Sequence, residues 1–180
     1  MEVFKLSLRK LKLIGVIIAF VLCFPIHFLY DKLPCFITSI IAPVNESIWE
    51  HMKILFTSIL FAGVIQKIIV KVKHLPYKNV CISNIVAALS SVFIYLVLYI
   101  PIYNSIDENL PITIFLMFIV IIISQIITIF VIKFKKNLHM ENWAILFTIL
   151  IYAAFGLLTY YPPQNELFRD PITNIYGIKK

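Results

Sequence analysis

Two carboxylates, an imidazole, an amide and a hydroxyl stand together in Asn45-Glu46-Ser47-Ile48-Trp49-Glu50-His51, just ahead of an apolar run over residues 54–65. Ionisable groups at the mouth of a membrane helix are costly to hold and mark functional sites. Glu46 and Glu50 share a face of any helix that has begun by Glu46, and His51 lies about 100° round from Glu50. Upstream, His27 and Asp31 have the same four-residue spacing. Two chemistries suit this set. One is a mixed nitrogen–oxygen metal site of the kind zinc accepts, with His27, Asp31 and His51 as ligands. The other is acid–base work by Glu50 or Glu46 with His51, a carboxyl and an imidazole each shifting the other's proton affinity. Neither the HExxH nor the HxxxH spacing occurs. A structural reading stands beside both: Ser47 and Glu50 form a capping box, Glu46 complements the helix dipole, and His51 sits among the headgroups. Asn45, Ser47, Trp49, Tyr161, Arg169 and Asp170 complete the residues expected around the same pocket.

The elements that position these groups can be read from hydropathy. Residues are 61% hydrophobic and 14% charged, where a soluble domain carries about a quarter charged. The fold class is therefore all-α: a polytopic transmembrane bundle forming one domain. Five spans are expected, near residues 13–30, 48–70, 80–103, 110–132 and 143–161. The first reads as a retained helix, because it lacks a small-x-small cleavage site at its end. Residues 33–42 are apolar but too short to span, and Pro34 and Pro43 bracket them, so they read as a re-entrant or interfacial segment before the second span. The tail over residues 162–180 carries Leu167, Phe168, Ile172, Ile175 and Tyr176 among restrictive prolines. It is expected to fold back over the bundle as a cap. Gln125 and Asn84 fall inside spans, where interhelical hydrogen bonds explain them.

Net charge is +7. Ten lysines and arginines lie in the amino-terminal segment and in the turns at 71–78 and 133–136, against five on the other face. The positive-inside rule then gives a cell-membrane protein with a cytoplasmic amino terminus and an external carboxyl terminus. His27, Asp31, Glu46, Glu50 and His51 share the external face with the loop acids Asp107 and Glu108. Topology accounts for the basic residues, and nucleic-acid binding has no support. No Gly-rich phosphate loop, nucleophile elbow or selectivity-filter sequence is present. Cys23, Cys35 and Cys81 give neither a disulfide framework nor a zinc knuckle and read as buried thiols.

The block Asn45-Glu46-Ser47-Ile48-Trp49-Glu50-His51-Met52-Lys53, preceded by His27-Phe28-Leu29-Tyr30-Asp31, resembles the signature of a small bacterial and archaeal multi-pass membrane family of unknown function. The tail Tyr161-Pro162-Pro163 … Leu167-Phe168-Arg169-Asp170-Pro171 … Tyr176-Gly177 is similar to that family's carboxyl end. The resemblance spans the chain and implies the class and the residues that matter, but no reaction. Membrane hydrolases such as the alkaline ceramidases also gather His, Asp and Ser at one membrane face around zinc, with seven spans and a different histidine pattern. The most concrete expectation is a membrane hydrolase acting on a lipid or amphiphile, with zinc or a Glu–His pair activating water. The alternative is a small transporter, or an accessory subunit of a membrane complex or homo-oligomer, without catalysis.

Overall fold

The computed structural model describes residues 6–106, 109–134 and 136–178; Asp107, Glu108 and Lys135 lie outside them. Among the described residues, five helices are long and apolar enough to cross a membrane: α1 (Leu8–His27), α4 (Ile48–Val72), α5 (Val80–Ile106), α6 (Leu110–Ile132) and α7 (Glu141–Tyr160). Two short helices, α2 (Leu29–Lys32) and α3 (Phe36–Ile41), occupy the interval between the first two spans. This is the expected helical membrane bundle with a short segment ahead of its second span.

The boundary of the first span differs from the hydropathy reading. The Ser7 hydroxyl accepts from the Lys10 N–H and caps α1 at Leu8, so Arg9, Lys10 and Lys12 lie inside the helix. Basic residues do not stop a helix; capping does. At the other end α1 stops at His27, Phe28 caps it, and α2 starts afresh at Leu29.

α4 is the central element. It packs against α1 and α5, with α6 closing on α1 and α5 and α7 lying against α3 and α5. Leu55, Phe56, Ile59 and Ala62 on α4 are fully buried, and Ala87, Tyr95, Val120 and Ile121 from α5 and α6 meet them in one core. The outward residues are large and apolar, among them Phe93, Phe115, Phe130 and Ile149, as lipid-facing surfaces require.

One set of polar groups within the bundle is paired across helices. Lys12 Nζ donates to Gln66 Oε1 at 3.1 Å, and Gln66 Nε2 donates to the Leu11 carbonyl at 2.9 Å and to Gln125 Oε1 at 3.4 Å. The expected role of Gln125 is thus realised. Gly15 makes the approach possible, since a Cβ there would collide with the Gln66 carboxamide.

The tail folds over the end of the bundle at which α4 begins. The Trp49 N–H donates to the Leu167 carbonyl at 2.9 Å, and Phe168 is buried with its ring 4.9 Å from the Trp49 ring. Ile172 and Ile175 stay exposed, contrary to the expected burial. They sit in the turn that Asp170 organises by accepting from the Ile172 and Thr173 N–H groups, and the turn faces outward. Cysteine burial also differs from expectation: Cys23 is buried, Cys81 is intermediate and Cys35 is exposed at the start of α3.

Candidate functional site

Ser47 is the N-cap of α4, its hydroxyl accepting from the Glu50 N–H at 3.4 Å. Helical geometry therefore begins only at Ile48, and Glu46 lies before the cap rather than on the face of Glu50. Freed from the helix, Glu46 turns toward α1. Its Oε1 is 3.8 Å from His27 Nε2 and its Oε2 is 3.5 Å from His51 Nε2. The two imidazole rings lie 5.7 Å apart, centroid to centroid. One donor atom from each of His27, Glu46 and His51 falls within 4.8 Å of the others.

Each member is held differently. His51 Nδ1 is 3.0 Å from the Ser47 carbonyl. A carbonyl only accepts, so Nδ1 carries the proton in this contact, and Nε2 faces Glu46. His27 is the last residue of α1, and its buried Nδ1 has no hydrogen-bond partner among the described residues. Glu46 keeps 34% of its side-chain surface exposed, against 10% for His51. The set therefore opens outward through the carboxylate.

Beneath the set lies a cavity of about 260 Å³ between α1, α4 and α6. His27 and His51 stand in its wall with Phe20, Phe24, Ile54 and Met117. The Cys23 thiol also lines it and is held by Ser58 Oγ at 3.4 Å. The cleft is apolar, with two imidazoles of the donor set in its wall.

Glu50 does not join this set. It is 1% exposed and faces α3 and α7, because one residue along α4 turns the side chain by about 100°. Its Oε2 pairs with Lys53 Nζ at 2.6 Å and accepts from the Val44 N–H at 3.0 Å, while Oε1 accepts from Thr159 Oγ1 at 2.8 Å. Lys53 Nζ in turn donates to the Ser39 carbonyl at 2.7 Å and to Thr159 Oγ1 at 2.5 Å. The expected convergence of all five ionisable groups is replaced by two clusters on different faces of α4. With every Glu50 oxygen engaged, its expected role as a base is not supported. Asp31 is also outside the donor set. It is exposed in α2, and the break at Phe28 ends the helical register that would place it over His27.

The remaining expected pocket residues bind the tail. Asn45 Nδ2 donates to the Gly177 carbonyl at 2.8 Å, and its Oδ1 accepts from the Ser47 N–H at 2.9 Å. Trp49 packs between Phe155 and Phe168. Arg169 pairs with Glu166 at 2.5 Å, and Tyr161 is 76% exposed and does not line the cleft. Tyr160 supplies the aromatic contact instead, its hydroxyl 3.0 Å from Ser39 Oγ. Sequence reasoning missed Lys53, Ser39 and Thr159. A lysine three residues after Glu50 at the head of an apolar run is the signal that marks the buried pair.

Comparison with the curated proteins and with the solved structures returned no match. A family model matches residues 1–178, and the chain belongs to that family, described as a family of unknown function (DUF6512).

Proposed function

We propose that the protein is a membrane metallohydrolase in which His27, Glu46 and His51 hold a zinc-class divalent cation at the wall of an amphiphile-binding cleft. The observation that carries this reading is the convergence of the Glu46 carboxylate with two imidazoles that stand in the wall of an apolar cavity. Donors on a tetrahedral zinc stand about 3.3 Å apart, and one donor atom from each of the three residues lies within 4.8 Å of the others, so closing on a cation takes inward side-chain movement of up to about 1.5 Å. The Ser47 carbonyl is the outer partner that a metal-bound imidazole requires. Three protein ligands leave a fourth position for water, as catalytic sites do and structural sites do not.

The chemistry is hydrolysis of an acyl linkage. A cation held by His27, Glu46 and His51 would supply a water of lowered pKa, whose oxygen would go to the carbonyl carbon and whose proton would go to the leaving oxygen or nitrogen as that bond breaks. The Glu46 oxygen not bound to the cation would carry that proton. The substrate's apolar chain lies along Phe20, Phe24 and Met117, with its polar linkage at the level of His27 and His51. In the cell membrane this mouth faces outward, since the lysine-rich ends of the bundle belong to the cytoplasm.

Metal analysis of the purified full chain tests the reading. About one zinc per chain is expected, lost in His27→Ala and His51→Ala and kept in Asp31→Asn. Chelation should abolish cleavage of a fluorogenic acyl amphiphile and zinc should restore it. A chain that takes up no zinc on reconstitution, or keeps it in the His27→Ala/His51→Ala double variant, overturns the proposal.

A further inference from the structure

We propose that the paired rings of Phe20 and Phe118 form the floor of the amphiphile cleft and limit it to acyl chains of about eight to ten carbons. The inference rests on the cleft's role in the proposed function and names the chain class of its substrate. On α1 the wall of the cleft runs from His27 to Phe20, and on α6 from Leu110 to Met117. Either stretch is seven steps of helix, about 10 Å. At about 1.25 Å per tetrahedral carbon, that depth takes about eight carbons of an extended chain. Volume gives a similar answer. A cavity of about 150 Å³ takes the six carbons of benzene, so the 260 Å³ of this cleft admits about ten.

The floor is a contact between the two helices. The Phe20 ring meets the Phe118 ring edge-on, with centroids 4.9 Å apart, and the Phe24 ring packs on Phe20 at 5.4 Å. Phe20 lines the amphiphile cleft. Phe118 lines a second apolar cleft between the same two helices, of about 290 Å³, with Val16, Ile17 and Ile122. The ring pair therefore stands between two spaces that follow one another along α1 and α6. A chain descending from the imidazoles meets aromatic rings where the first space ends. Passing them means breaking an aromatic contact. A longer chain must turn out sideways instead, past Phe24, which is 46% exposed. Apolarity alone supplies no preference here, because lipid tails offer the same medium. The preference comes from packing against the walls, which a chain that turns out forfeits.

Photolabelling of the full chain in nanodiscs without added metal tests the floor, and zinc uptake has no part in the result. The probes are N-methyldecanamide with a diazirine at its eighth carbon and N-methylpalmitamide with one at its thirteenth. In the native chain the decanamide probe should label residues 20–24 and 113–117. At equal mole fraction in the bilayer, unlabelled N-methyldecanamide should suppress that labelling about tenfold more effectively than unlabelled N-methylpalmitamide. In Phe20→Ala, and separately in Phe118→Ala, the palmitamide should compete at least as well as the decanamide. Its photoreactive carbon should then label Val16, Ile17 or Ile122, which it does not reach in the native chain. Phe118→Ala decides the matter if Phe20→Ala fails to fold. Equal competition by the two amides in the native chain, or an order unchanged in the folded variant, overturns the floor and leaves the amphiphile cleft standing. Absence of any suppressible labelling at 20–24 and 113–117 overturns the cleft's role and the floor with it.

Discussion

Glu50 accepts from Lys53 Nζ at 2.6 Å, from Thr159 Oγ1 at 2.8 Å and from the Val44 N–H at 3.0 Å, all out of solvent. Removing one partner of such a pair leaves a buried charge, so Glu50→Gln and Lys53→Met should each destabilise the fold by about 3–5 kcal/mol. The double variant should be more stable than their sum implies. Thermal unfolding in detergent reads the coupling. A Glu50→Gln protein of native stability that has lost hydrolysis would instead make Glu50 catalytic. At the same scale, Cys35 tests the local geometry of α3. Its exposed thiol is held below the ordinary thiol value, first by the hydrogen bond to the Thr38 hydroxyl and then by the Thr38 backbone. A lowered pKa means that thiolate persists to lower pH, so alkylation of Cys35 should reach half its maximal rate at lower pH than in an unstructured cysteine peptide. Thr38→Val should move that midpoint upward. Peptide mapping after timed alkylation measures it, and an unshifted profile in Thr38→Val removes the assigned cause.

At the scale of elements, the start of α4 decides which residues meet. The Ser47-x-x-Glu50 spacing is legible as a cap, and the cap is where it should be. The consequences of a cap at Ser47 are less visible in sequence. Glu46 falls outside the helix and reaches α1, while Glu50 and His51 look to different neighbours. Hydrophobic pattern does not report such angular differences, because the first half of α4 is buried on every side. The capping tail was legible from its prolines and spaced apolar residues, but its attachment was not. Asn45 and Gly177 are far apart in sequence, and a backbone carbonyl leaves no mark on composition. Gly177 has φ of 67°, and a Cβ on it would lie 2.5 Å from the Thr159 carbonyl. Gly177→Ala should therefore cost at least about 1–2 kcal/mol and, like Asn45→Ala, loosen the tail. Limited proteolysis should then cut between residues 161 and 178 sooner than in the native chain while α7 remains intact. An unchanged cleavage rate in both variants would show that the Trp49 and Phe168 contacts hold the tail without this bond.

At the scale of the whole molecule, hydropathy was enough to locate five spans, because about 20 or more largely apolar residues have few other folds available. It placed Lys12 at a membrane boundary and gave Lys53 no role, since a lysine scores alike whether it snorkels to water or pairs inside. Both are buried, at 3% and 0% exposure, at opposite ends of α1 and α4. The bundle thus has two chemically distinct ends. One carries His27, Glu46 and His51 with the folded tail; the other carries Lys12, Gln66 and Gln125 with the basic turns after α4 and α6. That asymmetry makes orientation testable with exposed residues at each end. In a background without native cysteines, Ser105→Cys at the end of α5 should react with a membrane-impermeant maleimide added to intact cells, and Lys136→Cys after α6 should react only once the cells are opened. The ten-to-five division of basic residues requires this order. Labelling of position 136 and not 105 would place the His27–Glu46–His51 cleft on the cytoplasmic side. The metal chemistry would survive that result, but the substrate would then have to come from the inner leaflet.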